Sequence, residues 1–143
     1  MPAILVFLSG VAALVYQILW VKQLALIVGV DVYAVTTAVS AFFAGLALGG
    51  GLFGRRADRS ARPLRLFAAL EAGTGLLGFT ATLVLAHAAP AFVSLEAKAS
   101  PVAWALLFVT IGLPALLMGG TLPALVRAVA PAEEAVGRAS GNL

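Results

Sequence analysis

Cysteine is absent from the 143 residues, and histidine occurs once. The first absence excludes a disulfide framework, thiolate metal sites and thiol redox chemistry. The second leaves His87 without the companions that a metal site needs. Charge is scarce as well, at 10% Asp, Glu, Lys and Arg, where a soluble domain carries about a quarter. No Gly-rich phosphate loop, nucleophile–base pair or metal-ligand spacing occurs along the chain. These gaps predict that the chain alone is not an enzyme and uses no cofactor.

What the sequence does have is apolar length. It is 62% hydrophobic, with a mean hydropathy of +1.08. Four apolar stretches cover residues 3–21, 32–53, 64–88 and 102–129. Each reaches the roughly 20 residues that carry a helix across a 30 Å hydrocarbon layer. Lipid offers the backbone no hydrogen bonds, so a span of this kind must be helical. The prediction is a single all-α membrane domain, a polytopic transmembrane bundle of four spans. Residues 131–143 are expected to form a cytoplasmic tail.

The first run begins almost at Met1, with no basic segment before it and no small-residue cleavage site behind it. It reads as a retained span rather than a signal peptide. Residues 24–30 are too short to cross alone, so they extend the first helix or lie in the interface. Trp20 and Tyr33 flank this region, as rings at headgroup depth do. Asp31 is placed to cap the second span, and Ser100-Pro101 to start the fourth. Residues 91–100 read as a loop carrying only Glu96 and Lys98. Pro114 and Pro123 each remove a backbone donor and are expected to kink the fourth span, with Gly119-Gly120 between them as a weak point and as candidate helix-packing residues.

Arg55, Arg56, Arg59, Arg62 and Arg65 crowd the connection between spans two and three. Nucleic-acid binding is one reading of such a cluster. The flanking apolar spans favour a cytoplasmic loop instead. With Arg127 and Arg138, seven basic residues fall on that side, against Lys22 and Lys98 on the other. This predicts a multi-pass protein of a bacterial inner membrane with both termini in the cytoplasm.

Some polar and small residues stand out within the spans. Gly45 and Gly49 form a small-xxx-small pair, and Gly50 with Gly54 repeats it. Such pairs let helix backbones approach closely, within the chain or across a dimer. Glu71 lies about two turns inside span three, where an ionised carboxylate is costly. Arg56, Arg59 and Arg65 are candidate ion-pair partners, and a proton or cation site is the other reading. Gln17 in span one is a milder case, able to hydrogen-bond across helices.

The string from Gly54 to Arg62 resembles the loop between the second and third helices of the major facilitator superfamily. Gly54, Asp58, Arg59 and Arg62 match that pattern, and Ala61 stands where a second glycine is usual. The resemblance implies a conformational latch and major-facilitator-like hairpins. More of the chain is similar to the membrane region of bacterial fused spermidine synthase-like proteins. The strings that carry this are Phe7 to Trp20, Phe43 to Gly49, Leu113 to Pro123 and Gly137 to Leu143. That family adds a soluble aminopropyltransferase-like domain, which this chain does not contain. The resemblance implies the membrane half alone, as a natural short homologue, a split gene or a fragment.

Two functions follow as expectations. One is an accessory or structural membrane subunit, with the lipid bilayer and other transmembrane helices as partners, in a homo-oligomer or larger complex and without nucleic acid. The alternative is a transporter-like domain for polyamines or other small cations.

Overall fold

The computed structural model describes the backbone of residues 2–140 and the side-chain surroundings of residues 4–129. Helix α1 covers Pro2–Val28, α2 Asp31–Asp58, α3 Pro63–His87 and α4 Ala89–Ser140. Among the described residues there is no strand. All four helices are long and apolar enough to cross a membrane. The fold is an all-α four-helix bundle.

The ends of the helices follow from local chemistry. Gly29 takes φ 74°, a left-handed conformation that only glycine adopts freely at a helix end. Its N–H still reaches the Ala25 carbonyl, at 2.9 Å. Residues 24–28 therefore belong to α1, which settles the first of the two placements left open for them. Val30 is the N-cap of α2 and offers no side-chain bond. Asp31 sits in the first turn instead, so its carboxylate helps through the helix dipole and not as a cap. Arg55 and Arg56 occupy the last turn of α2, where cations suit the free carbonyls. Pro63 opens α3, a position where its missing N–H costs nothing.

Residues 91–100 are helical and not a loop. A single connecting residue, Ala88, precedes α4, and the break comes at Ala99, with φ −154° and ψ 69°. The restart falls one residue earlier than Ser100-Pro101 suggested, with Ala99 in the extended position that a helix start requires. Phe92 is buried against Trp104, their rings 5.5 Å apart and perpendicular. That contact holds the short helical segment down on the bundle. Backbone dihedrals remain helical through Pro114 and Pro123. The backbone of α4 runs on to Ser140; the side chains of the expected tail, Arg138 included, lie outside the described residues.

Helix α4 is the centre of the bundle and touches the other three. It packs most heavily on α2, then on α3, while α2 and α3 barely meet. The chain therefore threads α4 between the arms of its own α2–α3 hairpin. Helix α1 lies over this core and is the least held: 6% of its apolar stretch is buried, against 33% for α2 and α4. The rest of its surface is apolar and open, with Phe7 at 68% exposure and Leu26 at 83%. Water would not tolerate such a face on a soluble monomer.

Candidate functional site

Helices α2 and α4 run parallel and meet through small residues. A Cβ on Gly45 would stand 2.6 Å from the Gly112 carbonyl oxygen and 2.7 Å from the Ala115 methyl. A Cβ on Gly49 would collide with the carbonyl of Leu116, and one on Gly119 with the carbonyl of Leu46. Gly120 lies under the Phe53 ring. A Cβ on Gly50 would have room, with the Gly119 carbonyl oxygen nearest to it at 3.6 Å. The glycine pattern thus closes a seam within the chain. A Cβ on Gly54 would come only to 4.0 Å of the Pro123 side chain.

The second seam joins α1 and α3, again in parallel, and is polar. Ser9 Oγ donates to Glu71 Oε1 at 2.6 Å. Tyr16 lies over Gly78, where a Cβ would be 2.9 Å from the ring. Trp20 Nε1 donates to Thr82 Oγ1 at 3.1 Å, and that hydroxyl donates in turn to the Gly78 carbonyl at 2.9 Å. Gln23 Nε2 donates to the Thr82 carbonyl at 3.0 Å. The contacts 9–71, 16–78 and 20–82 share one offset, so two helical stripes face each other in register. Trp20 is fully buried and stacks on Tyr16, with centroids 5.2 Å apart. It is a packing and donor residue, turned into the bundle. Tyr33 is exposed and edges toward Trp104.

Glu71 is half-buried and forms no ion pair among the described residues. The expected partners Arg56, Arg59 and Arg65 are all exposed; the group that reaches the carboxylate is Ser9, on another helix. Thr74, one turn further along α3, is buried with its hydroxyl unpartnered. Gln23 Oε1 is also buried without a partner. A cleft of about 210 Å³ opens beside this level, lined by Ser9, Ala13, Phe67, Met118 and Thr121. Its lining draws Ala13 and Met118 from the large apolar cluster around Trp20, Phe42, Leu85 and Ile111, and Phe67 from the edge of a small one of Ala57, Leu70 and Ala124.

Gln17 lies elsewhere, half-buried, in an open groove between α1 and α2 lined also by Gly10, Leu14, Phe42 and Phe43. The loop motif does not gather into a site. Asp58, Arg59 and Arg62 are exposed, and no ion pair joins them. Ser60 shapes the turn, its Oγ accepting from the Arg62 N–H at 3.2 Å. Sequence reasoning singled out Glu71 and Gln17 but missed Ser9, Thr74, Trp20, Gln23 and Thr82 as members of one seam. The positions that match are 9, 16 and 20 on α1 and 71, 78 and 82 on α3, a spacing that becomes a signal only once the two helices are known to be neighbours.

The sequence matches no protein-family model, and no curated protein or solved structure is significantly similar to it. Four membrane-length apolar helices are the makeup of a multi-pass membrane protein.

Proposed function

We propose that this chain is an integral-membrane accessory subunit that packs against other transmembrane helices through the α1–α2 groove. Gln17 carries the reading. Its side chain stands near the middle of α1, in a groove of about 470 Å³, with no hydrogen-bond partner among the described residues. Lipid tails give an amide neither donor nor acceptor, and a polar group on an adjoining helix gives both. Gly10 supports the same face, since nothing lies within 4 Å of where its Cβ would be. A foreign backbone could come close there. The glycine seam of α2 and α4 is satisfied internally, so it is not the docking face.

In this reading the arginine-rich turn and both termini face the cytoplasm of a bacterial inner membrane, and the chain by itself performs no reaction. Its descent is from the membrane region of spermidine synthase-like proteins. Purification in mild detergent should yield a stoichiometric partner or a dimer, and Gln17→Leu should weaken that association about tenfold or less, the ~1 kcal/mol of an interhelical bond in a membrane. A wild-type chain that runs as a lone monomer in bicelles at high loading would rule the subunit reading out. For orientation, a cysteine replacing Ser60 should react with thiol reagents only once the membrane is breached.

A second reading, a carrier for polyamines or other small cations, draws on one observation: among the described residues Glu71 meets a serine and no arginine.

A further inference from the structure

We propose that the wedge between α1, α3 and α4 at the level of Glu71 binds a monovalent cation, held by the Glu71 carboxylate and the hydroxyl oxygens of Ser9 and Thr74. The proposal rests on the second reading only for its site. It concerns binding at equilibrium, so binding without uptake leaves it standing and removes the carrier.

Charge is the first argument. Glu71 lies about 12 Å along the axis from the start of α3, at 1.5 Å per residue. An ionised carboxylate at that depth needs compensation. No cationic side chain supplies it among the described residues. Ser9 offers one hydrogen bond at 2.6 Å, which solvates the carboxylate without neutralising it.

The second argument is Thr74. The other threonines of α3 and α4, Thr80, Thr82, Thr110 and Thr121, each donate to a carbonyl of their own helix. Thr74 alone does not, although only 8% of it is exposed and its hydroxyl is sealed from solvent. A buried hydroxyl without a partner is costly, so its orientation needs a reason.

Placement supplies one. Glu71 and Gly78 face α1, as their contacts with Ser9 and Tyr16 show. Gly73 faces Leu117 and Leu70 clusters with Ala124, both on α4. At about 100° per residue, Thr74 falls between those two directions, on the side of the wedge. Of the proposed ligands Ser9 lines the neighbouring cleft, with Phe67, two turns before Thr74 on the same side of α3; Glu71 and Thr74 stand outside its lining.

A proton would neutralise Glu71 with no call on a second or third oxygen. A hard cation collects several, and the unpartnered Thr74 hydroxyl is one to spare. One carboxylate balances one positive charge, which selects a monovalent ion. Sodium and a primary ammonium share this chemistry.

The test is the melting temperature of the full chain in detergent, at constant pH and ionic strength, with choline as the inert cation. Replacing choline by sodium, or by methylammonium, should raise the wild-type Tm by a few degrees once the ion exceeds its Kd about tenfold. A shift with sodium alone identifies a metal-ion site, and one with methylammonium alone an amine site; either supports the proposal. Glu71→Gln and Thr74→Val should abolish the shift, and Thr74→Ser should restore it. In choline, Glu71→Gln should be at least as stable as the wild type, which shows that the lost response is not misfolding. No shift with either ion, or a shift that survives Glu71→Gln, overturns the proposal.

Discussion

The α2–α4 seam and the α1–α3 seam both join parallel helices, yet one closes by omitting side chains and the other by pairing polar ones. At Gly45, Gly49 and Gly119 there is no space for a methyl group, so the gain is dispersion between backbones in contact. At Ser9, Trp20 and Gln23 the gain is hydrogen bonds to α3. In lipid these are not equivalent. Backbone contact tolerates no adjustment, because a carbonyl cannot rotate away. Side-chain bonds can break and re-form with other partners, and their net worth is modest. The difference matches the packing: α2 and α4 are the best-buried helices, and α1 is the helix that solvent or lipid reaches along most of its length. The rigid seam builds the core. The polar seam attaches the helix with the smallest buried share.

The largest effect expected is at the rigid seam. In Gly49→Val the new Cβ meets the Leu116 carbonyl, backbone that cannot yield. Overpacking of this kind typically costs about 1–3 kcal/mol and more when the obstacle is fixed. The variant should give little monodisperse protein on size-exclusion chromatography. If it purified and melted like the wild type, the seam would not be as close as described.

A smaller effect belongs to the polar seam. A double-mutant cycle with Trp20→Phe and Thr82→Val isolates the 3.1 Å bond between the two side chains. Interhelical bonds in membranes average about 0.6 kcal/mol and rarely exceed about 1.7. The coupling energy from thermal or denaturant unfolding should fall in that range. A value near zero would make α1 an apolar passenger held by shape alone. A value well above it would make the seam as rigid as its glycine counterpart and erase the contrast.

The two seams also differ in how far the sequence revealed them. Four spans could be read from hydropathy because every turn of a membrane helix must be apolar somewhere. The pairs Gly45–Gly49 and Gly119–Gly120 could be found because close backbone approach leaves a compositional mark. Which helix each glycine faces could not be read, since packing within the chain, the favoured reading, leaves the neighbour open and the pattern also fits a dimer. The polar seam was half legible. Glu71 stands out as a charge in an apolar run, but its partner is Ser9, 62 positions earlier. A serine in a helix has many local uses, so nothing marks it as that partner. Trp20 was half legible for a related reason: its amphipathic ring suits the headgroup layer, and only tertiary structure shows that Thr82 accepts from its N–H. The connection at 91–100 was misread because its helix is stabilised by Phe92 docking on Trp104, a contact formed after the fold is made.

The smallest expected effect has the opposite sign. Gly51 lies on α2, two residues beyond Gly49, on the exposed side of the helix, with nothing within 4 Å of its missing Cβ. A glycine in a helix interior costs about 0.5–1 kcal/mol relative to alanine through backbone entropy. Gly51 makes no contact that offsets this, so Gly51→Ala should raise the melting temperature slightly. Gly45→Ala, facing Ala115 and the Gly112 carbonyl, should lower it. Identical chemistry six residues apart then yields opposite signs, and only the neighbour across the seam accounts for the difference. If both substitutions stabilised, the intramolecular seam would be the wrong explanation for Gly45. If both destabilised, a helix outside this chain would have to occupy the face that carries Gly51.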